Sequence, residues 1–452
     1  MICILGAGIS GLSLAYKLKQ AGKDFILLEA DSEVGGKIKS RQKASYTYEL
    51  GPNTVLINNG AIKELIDELG LKNQIIEPDE QAIKSRFVLK NGNIEAIPNS
   101  LKSTIKSNLF GWATLGNILA EPFKKAKKGG KEESLAEFSK RRFGKQIYED
   151  LITPFVTGIY AGDPEKMSID FTLSILKEAE EKHGSILKGM PKLLKQKKAA
   201  NEKYQLPKQK IFTFKTGLQT LAKAIALEIK DSIELNASVF QIEETDGSYK
   251  VHYRQNEEQK TIQAQKVIST LPASVLANLI HEQKTSLNQS LKKISYVPAT
   301  VTHLAYDKEQ LHFKKEAFGI LSRKAEQVPF LGVLFNSKFF PHQAPQNKVL
   351  ITIISGGYRQ ADFIERDKKE IQEEIHQSLV KLKVVEGNYE LAESYHWPKA
   401  IPQYELGHQN ILDQIATFEA KNPNFLIAGN FLKGISVSDC IENSFKLAEK
   451  LK

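Results

Sequence analysis

Residues 1–37 read MICILGAGISGLSLAYKLKQAGKDFILLEADSEVGGK. An apolar strand carrying Ile2, Ile4 and Leu5 runs into the glycine turn GAGISG; a helix over Leu12 to Lys19 follows, and a second strand, Phe25 to Leu28, ends on the acid Glu29. Gly6, Gly8 and Gly11 meet three demands of a dinucleotide site: a tight turn, close approach of backbone to a pyrophosphate, and close packing of helix on strand. The turn residues Ile9 and Ser10 place free N–H groups at a helix N-terminus, where phosphate charge is stabilised. Glu29 lies eighteen residues past Gly11, with Ala30 beside it, where a carboxylate accepts ribose hydroxyls. A glycine triplet alone also suits an ordinary turn. The strand before it, the helix after it and the spaced acid select the nucleotide reading.

The rest of the chain bounds what such a site can serve. At 452 residues it has room for two to three domains. With 41% hydrophobic and 26% charged residues it reads as globular. There is no run of about eighteen apolar residues to span a bilayer, and a glycine loop starting at residue 6 leaves no room for a signal peptide, so a cytoplasmic chain is expected. Cys3 and Cys440 cannot form a disulfide framework, and no CxxC or Cys/His cluster suggests a metal. Residues 98–210 hold 22 Lys and Arg against 13 Asp and Glu, which is +9 of the net +10. Without a nucleic-acid module or interleaved aromatics, that block suits a solvated helical surface or an anionic membrane face rather than nucleic acid.

Several interior stretches carry further signals. Gly35-Gly36 precedes Lys37, and Tyr48-Glu49-Leu50-Gly51-Pro52-Asn53 forms a permissive turn before a helix at Ala61 to Leu69. Arg86 to Leu89 and Ile94 to Pro98 read as a hairpin around Asn91-Gly92-Asn93. From Ser100 to Met190 the pattern is helical, with an apolar stripe of Leu101, Ile105, Leu109, Trp112, Leu115 and Leu119; Phe110 and Trp112 beside basic residues also suit a helix in a headgroup layer. PFVTGIYAGDPEKMS (154–168) predicts a helix end, a glycine turn and an N-cap at Ser168; His183 reads as a surface residue of the HGSI turn. KTGLQ opens a helix at Leu218 to Ile229. Strands are expected at Ile233 to Leu235, Val239 to Glu244, Tyr249 to Tyr253 and Lys266 to Ser269. A second sheet is expected from Pro298 to Tyr306, Phe318 to Leu321, Phe330 to Phe335 and Val349 to Ser355, with helix Lys368 to Leu382 behind it. Strand Phe425 to Ala428 then leads through Gly429-Asn430 and Gly434-Ile435-Ser436-Val437 into a last helix, Ser438 to Leu451.

Taken together, these segments resemble the flavin amine oxidase and protoporphyrinogen oxidase superfamily over nearly the whole chain. The resemblance implies FAD. Gly35, Gly36 and Lys37 would pass by its phosphates, Gly51, Pro52 and Asn53 beside the flavin ring, and Val239 near the adenine. Gly429, Asn430, Gly434, Ile435, Ser436 and Val437 would face the ribityl chain or ring. Glu33 stands where the signature usually has arginine, which implies one phosphate or adenosine contact fewer, and Lys37 stands where arginine is also common. SRFVLKNGNIEAIP resembles the segment whose arginine pairs with a porphyrinogen propionate, a role carried to Arg86. Phe335 would pack on the tetrapyrrole, with Leu334 and Leu321 as further pocket residues. Cys440 is a poor attachment point for flavin.

The expected fold is α/β: a Rossmann-like FAD-binding domain (1–77, 211–283 and 410–452), a mixed-sheet substrate domain (78–97 and 284–409) and a helical, membrane-associating domain (98–210). No HExxH, GxSxG, P-loop or second GxGxxG is present, which argues against metal hydrolysis, acyl transfer, phosphoryl transfer and NAD(P)H-linked chemistry. The resemblance implies oxidation of protoporphyrinogen IX to protoporphyrin IX for haem biosynthesis, with electrons passing through FAD to oxygen or a quinone. Coproporphyrinogen III is the alternative substrate, and another amine-oxidase-like flavoenzyme or a non-catalytic FAD and tetrapyrrole carrier are further alternatives. No acid or base is assigned, because aromatisation drives the reaction. The implied partners are a porphyrinogen, the inner face of the cell membrane as a peripheral contact, and a ferrochelatase or a second copy of the chain.

Overall fold

The computed structural model describes residues 1–98, 103, 104, 107, 109–127, 129–203, 206, 211–280 and 285–451. Leu101 and Ile105 of the expected stripe lie outside them. A parallel pair needs a crossover connection, and helix Ile9–Gln20 supplies it between the apolar strands Ile2–Leu5 and Phe25–Leu28. Ile233–Glu234, Lys266–Ser269 and Phe425–Ile427 complete a five-stranded parallel sheet with Ile2–Leu5 at its centre. On one face, helix Ile9–Gln20 shares a core with Gln219–Glu228 and with the C-terminal helix Val437–Glu449, through Leu12, Ala15, Leu221, Ile225 and Ile441. The Ser444 hydroxyl donates to the Ser10 carbonyl at 2.9 Å, which fixes the end of the chain against its beginning.

The opposite face carries a three-stranded antiparallel sheet, Ala237–Thr245, Ser248–Gln255 and Glu258–Ala264. Its third strand was not expected. Glu258–Ala264 is almost wholly exposed and polar, so it shows no buried alternation.

The second body is a seven-stranded mixed sheet, in the order Leu391–Pro402, Tyr296–Asp307, Lys348–Gly356, Gly332–Leu334, Gly319–Ser322, Arg86–Lys90, Asn93–Ala96. The hairpin at 86–96 turns through Asn91 and Gly92, both at positive φ as a two-residue turn requires. Glu326 then accepts both turn amides, at 2.9 and 3.0 Å. The edge strand Leu391–Pro402 is also an addition to the expected set. The strand expected at Phe330 to Phe335 shortens to Gly332–Leu334. One face of this sheet packs Phe87, Ile320, Val333, Phe335 and Ile353 against Ile371, Ile375 and Leu379 of helix Lys368–Lys381.

Between the hairpin and residue 203 the described residues include the helices Trp112–Leu119, Leu135–Phe143, Thr153–Tyr160, Ser174–His183 and Ile186–Lys203. Ser168 is an N-cap, accepting from the Asp170 amide. The Arg142 guanidinium is fully buried between Glu121 and Glu180, and Arg141 bridges Glu133 and Glu180, so part of the basic block lies inside. The expected stripe is divided. Leu109, Phe110 and Leu115 turn inward, while Trp112, Leu119 and Phe123 are exposed. Phe110 is thus a core residue and not a headgroup contact. Among the described residues no helix is long and apolar enough to cross a membrane.

Candidate active site

The glycine turn builds a cradle open at its centre. A Cβ on Gly11 would stand 2.0 Å from the Gly6 carbonyl, so only glycine lets the helix pack this closely on the strand. A Cβ on Gly8 would meet nothing within 4 Å, and Gly8 offers the helix no side-chain cap. Uncapped N–H groups facing open space fit a pyrophosphate. Glu29 accepts from the Ala7 amide at 2.6 Å and the Asp31 amide at 2.9 Å, which holds its carboxylate beside the turn. The Ala237 amide donates to the Glu29 carbonyl at 2.7 Å, so the strand bearing Val239 starts next to this acid; Ala30 is exposed beside it.

Two further glycine segments close on the first. Gly35 pairs with Gly8 in an isolated bridge, and its amide donates to the Ala7 carbonyl at 2.9 Å. A Cβ on Gly51 would lie 2.0 Å from the Lys37 carbonyl, so the Gly51-Pro52-Asn53 turn runs directly against Gly36-Lys37. Asn53 is held by a hydrogen bond from Asn336 at 3.2 Å. From the C-terminal side, Gly429-Asn430 follows strand Phe425–Ile427, with Tyr404 donating to the Asn430 carbonyl. Ser436 caps the last helix, and Ile435 packs among the helical-segment side chains. Gly434 and Val437 flank that cap. The Cys440 thiol is buried, pushed up to about 12 by that burial, and contacts the Gly434 carbonyl at 3.8 Å, so it is not poised for attachment.

The two departures from the signature have physical explanations. Burial raises the Glu33 carboxyl, but hydrogen bonds from Arg41 and Gln219 outweigh it and hold the group down at about 2. Glu33 meets Arg41 at 2.9 Å, Lys39 at 3.3 Å and Gln219 at 3.0 Å. It organises two neighbouring cations, Lys39 and Arg41. The Lys37 ammonium donates to the Ala400 carbonyl and lies 5.2 Å from the centre of the Tyr296 ring. Burial pulls it down to about 8.

The expected substrate residues separate by strand register. Arg86 pairs with Gly319, Leu321 with Gly332 and Leu334 with Gly319, so Arg86, Leu321 and Leu334 share one face of the second sheet. The Leu334 and Leu321 side chains lie over Gly319 and Gly332, 3.2 and 3.5 Å from where Cβ atoms on those glycines would stand. Phe335 is the correction. It points to the other face, is 1% exposed and stacks on Phe313 at 5.2 Å, so its ring is committed to the core. Ile354, opposite Gly332 in register, belongs to the open face and was missed. Helix Thr153–Tyr160 faces this surface: a Cβ on Gly158 would lie 2.6 Å from the Leu321 side chain, and Phe155 and Ile159 beside Gly158 are exposed. Arg86 lies 5.4 Å from the centre of the Phe318 ring and faces no carboxylate among the described residues. An apolar slot with a free guanidinium at its rim can hold a flat, carboxylate-bearing ring. No metal-binding cluster occurs among the described residues.

The family described as flavin containing amine oxidoreductase matches residues 9–451. The mitochondrial protoporphyrinogen oxidase of Nicotiana tabacum is 30% identical over 99% of this chain and 94% of its own length. The coproporphyrinogen III oxidase of Bacillus subtilis (strain 168) is 26% identical over 98% and 95%. A solved structure assigned to protoporphyrinogen oxidase, from Exiguobacterium sp. 255-15, superposes with a TM-score of 0.84 at 20% identity, covering 100% of this chain and 98% of that one.

Proposed function

Because the chain belongs to the flavin containing amine oxidoreductase family, among its protoporphyrinogen oxidases, we propose that it oxidises protoporphyrinogen IX to protoporphyrin IX. It is an FAD-dependent oxidoreductase, and bound FAD supplies the electron acceptor. The observation that carries the substrate reading is the sheet face on which Arg86, with no carboxylate partner among the described residues, stands beside Leu321 and Leu334.

The residues of the slot have separable tasks. The planar fork of Arg86 holds a propionate in two hydrogen bonds and fixes the macrocycle in one orientation. Leu321, Leu334 and Ile354 cover its apolar body and exclude water. Asn53, steadied by Asn336, sets the turn against which the flavin ring rests. No side chain is asked to act as a strong base. FAD is held from both ends of the chain, by Gly6, Gly8, Ile9, Ser10, Gly11, Glu29 and Gly35-Gly36 and by Gly429 to Val437.

The same reading makes 98–210 a helical, membrane-contacting domain between the FAD-binding and substrate-binding parts. Trp112 (83% exposed), Phe123 (87%), Leu119 and Leu194 support it, with the Lys188 ammonium 5.8 Å from the Phe123 ring. The protein would then sit peripherally on an anionic membrane and pass electrons to oxygen or a quinone. Purified holoenzyme incubated with protoporphyrinogen IX or coproporphyrinogen III, followed by porphyrin fluorescence and peroxide release, tests the proposal. Faster turnover of the tetracarboxylate would favour the second substrate, to which the Bacillus relative points.

A further inference from the structure

Most arginines of the fold face carboxylates: Arg41 meets Glu33, Arg141 and Arg142 meet Glu180, Arg323 meets Asp150, and Arg366 meets Glu374. Arg254 is exposed on the three-stranded sheet. Arg359 has neither arrangement. It is largely enclosed, and no carboxylate lies within ion-pair distance of it among the described residues. Its Nη1 donates to the Ser322 carbonyl at 2.9 Å and the Ser322 hydroxyl at 3.1 Å, and its Nη2 donates to the Thr157 hydroxyl at 3.2 Å. The Nε–H is buried without a partner. The neighbouring Tyr358 also interacts with the guanidinium, its ring centre 6.0 Å from the guanidinium carbon.

The position of this cation matters as much as its state. Ser322 ends the strand that begins at Gly319, and Gly319 lies in register with Arg86. Three residues at about 3.3 Å each separate the Gly319 end from the Ser322 end, roughly 10 Å. Leu321, on the face shared with Arg86, precedes Ser322, whose hydroxyl turns to the other face and donates to the Phe330 carbonyl, so the Ser322 carbonyl and the strand end are what Arg359 reaches from the helix side. Thr157 precedes Gly158, the helix residue packed on Leu321. A guanidinium with no carboxylate partner among the described residues thus lies near each end of this strand, with Leu321 between them. Burying a charge that has only neutral partners is unfavourable, and a structural tie between helix and strand could be made by a neutral side chain.

Resting on the porphyrinogen reading above, we propose that Arg359 is a second substrate anchor, taking a carboxylate at the edge of the tetrapyrrole away from Arg86. The slot then selects a ring with acidic side chains at two edges and rejects its esters. The anchor acts on binding and orientation and moves no proton.

The test compares protoporphyrinogen IX with its dimethyl ester in wild-type, Arg359→Met and Arg359→Lys holoenzymes, with equilibrium binding of protoporphyrin IX and its dimethyl ester measured by fluorescence. Expected for Arg359→Met is a rise in KM and Kd for the diacid of roughly 10- to 100-fold, with the ester unchanged and flavin content retained. Arg359→Lys keeps a cation and a tie to Ser322 but loses the fork, and should show a smaller loss in the same direction. Equal losses for acid and ester would overturn the anchor and leave Arg359 as a tie between helix and strand. If Arg359→Met does not fold, the Lys variant decides by the same acid-to-ester ratio. Wild-type enzyme that neither oxidises nor binds the diacid overturns the porphyrinogen reading itself, and the anchor with it.

Discussion

The Glu49 carboxylate accepts the Leu218 amide at 2.8 Å, deep inside the fold, while its second oxygen takes the Ser40 hydroxyl at 2.6 Å. One buried acid therefore joins the turn at 215–218 to the segment that leads into Gly51-Pro52-Asn53. Burial pushes this carboxyl up from 4.5 to about 7, although the two hydrogen bonds oppose the shift. The folded value lies above the unfolded one, so the ionised form is the disfavoured one in the fold. Below about pH 4.5 both states are protonated; stability falls as pH rises towards 7, and the penalty is constant above that. A shift of this size corresponds to about 3 kcal/mol. Glu49→Gln can still accept the Leu218 amide and carries no charge. Its melting temperature should match wild type near pH 4.5 and exceed it increasingly up to pH 8, and a gap independent of pH would sink this account.

The open centre of the cradle separates two glycine substitutions. Gly11→Ala drives a methyl into the Gly6 carbonyl, so it should lower both the melting temperature and the flavin content. Gly8→Ala meets no protein atom. It should leave the apoprotein's melting temperature within about a degree, given how little surface changes, yet weaken FAD binding, because the methyl occupies the space the pyrophosphate needs. Fluorescence titration of the apoproteins with FAD distinguishes the two.

Restoring the signature arginine should not help this chain. Glu33→Arg would set a third cation beside Lys39 and Arg41 and leave the Gln219 side-chain amide only the Val34 carbonyl at 3.3 Å. We expect a lower melting temperature and no gain in FAD affinity. Tighter flavin binding by the variant would show that Glu33 costs the site a phosphate contact after all.

Arg86→Ala tests the other end of the slot. A charge-assisted bidentate pair contributes about 1.5–3 kcal/mol, which corresponds to a KM raised roughly 10- to 100-fold. The kcat and flavin content should change little, because the guanidinium touches no reacting carbon. An unaltered KM removes Arg86 from substrate binding.

The nucleotide half of the fold was legible because its signals are local. A strand, a glycine turn, a helix and an acid follow one another within thirty residues, and each is recognised without knowing its partners. The second sheet was legible only where strands are buried. Leu391–Pro402 is half exposed over most of its length and contains two prolines, and Glu258–Ala264 is polar and solvated, so neither carries a hydrophobic period. The slot failed at Phe335 for a different reason. Leu334 and Phe335 are neighbours at a strand end, and neighbours on a strand point to opposite faces, so assigning both to one pocket conflicted with the pleat. Arg359 gave no sequence signal, since its isolation depends on which carboxylates the folded chain fails to bring near it.

The buried pair of Arg142 and Glu121 sets the strongest stability prediction. Glu121 also accepts from the Ser185 hydroxyl at 2.6 Å and from the Ile186 and Leu187 amides at 2.9 and 3.1 Å, so it caps the helix Ile186–Lys203 from inside the helical segment. Burial raises its carboxyl, but those donors and Arg142 together bring the group below its ordinary value. Glu121→Ala removes the cap and leaves a fully buried guanidinium with Glu180 alone, which should cost about 3–5 kcal/mol. A buried ion pair need not stabilise relative to well-packed apolar side chains, so Glu121→Leu with Arg142→Met should recover much of that loss. What the double variant cannot restore is the helix cap, and the remaining deficit in melting temperature reports its contribution of about 1 kcal/mol.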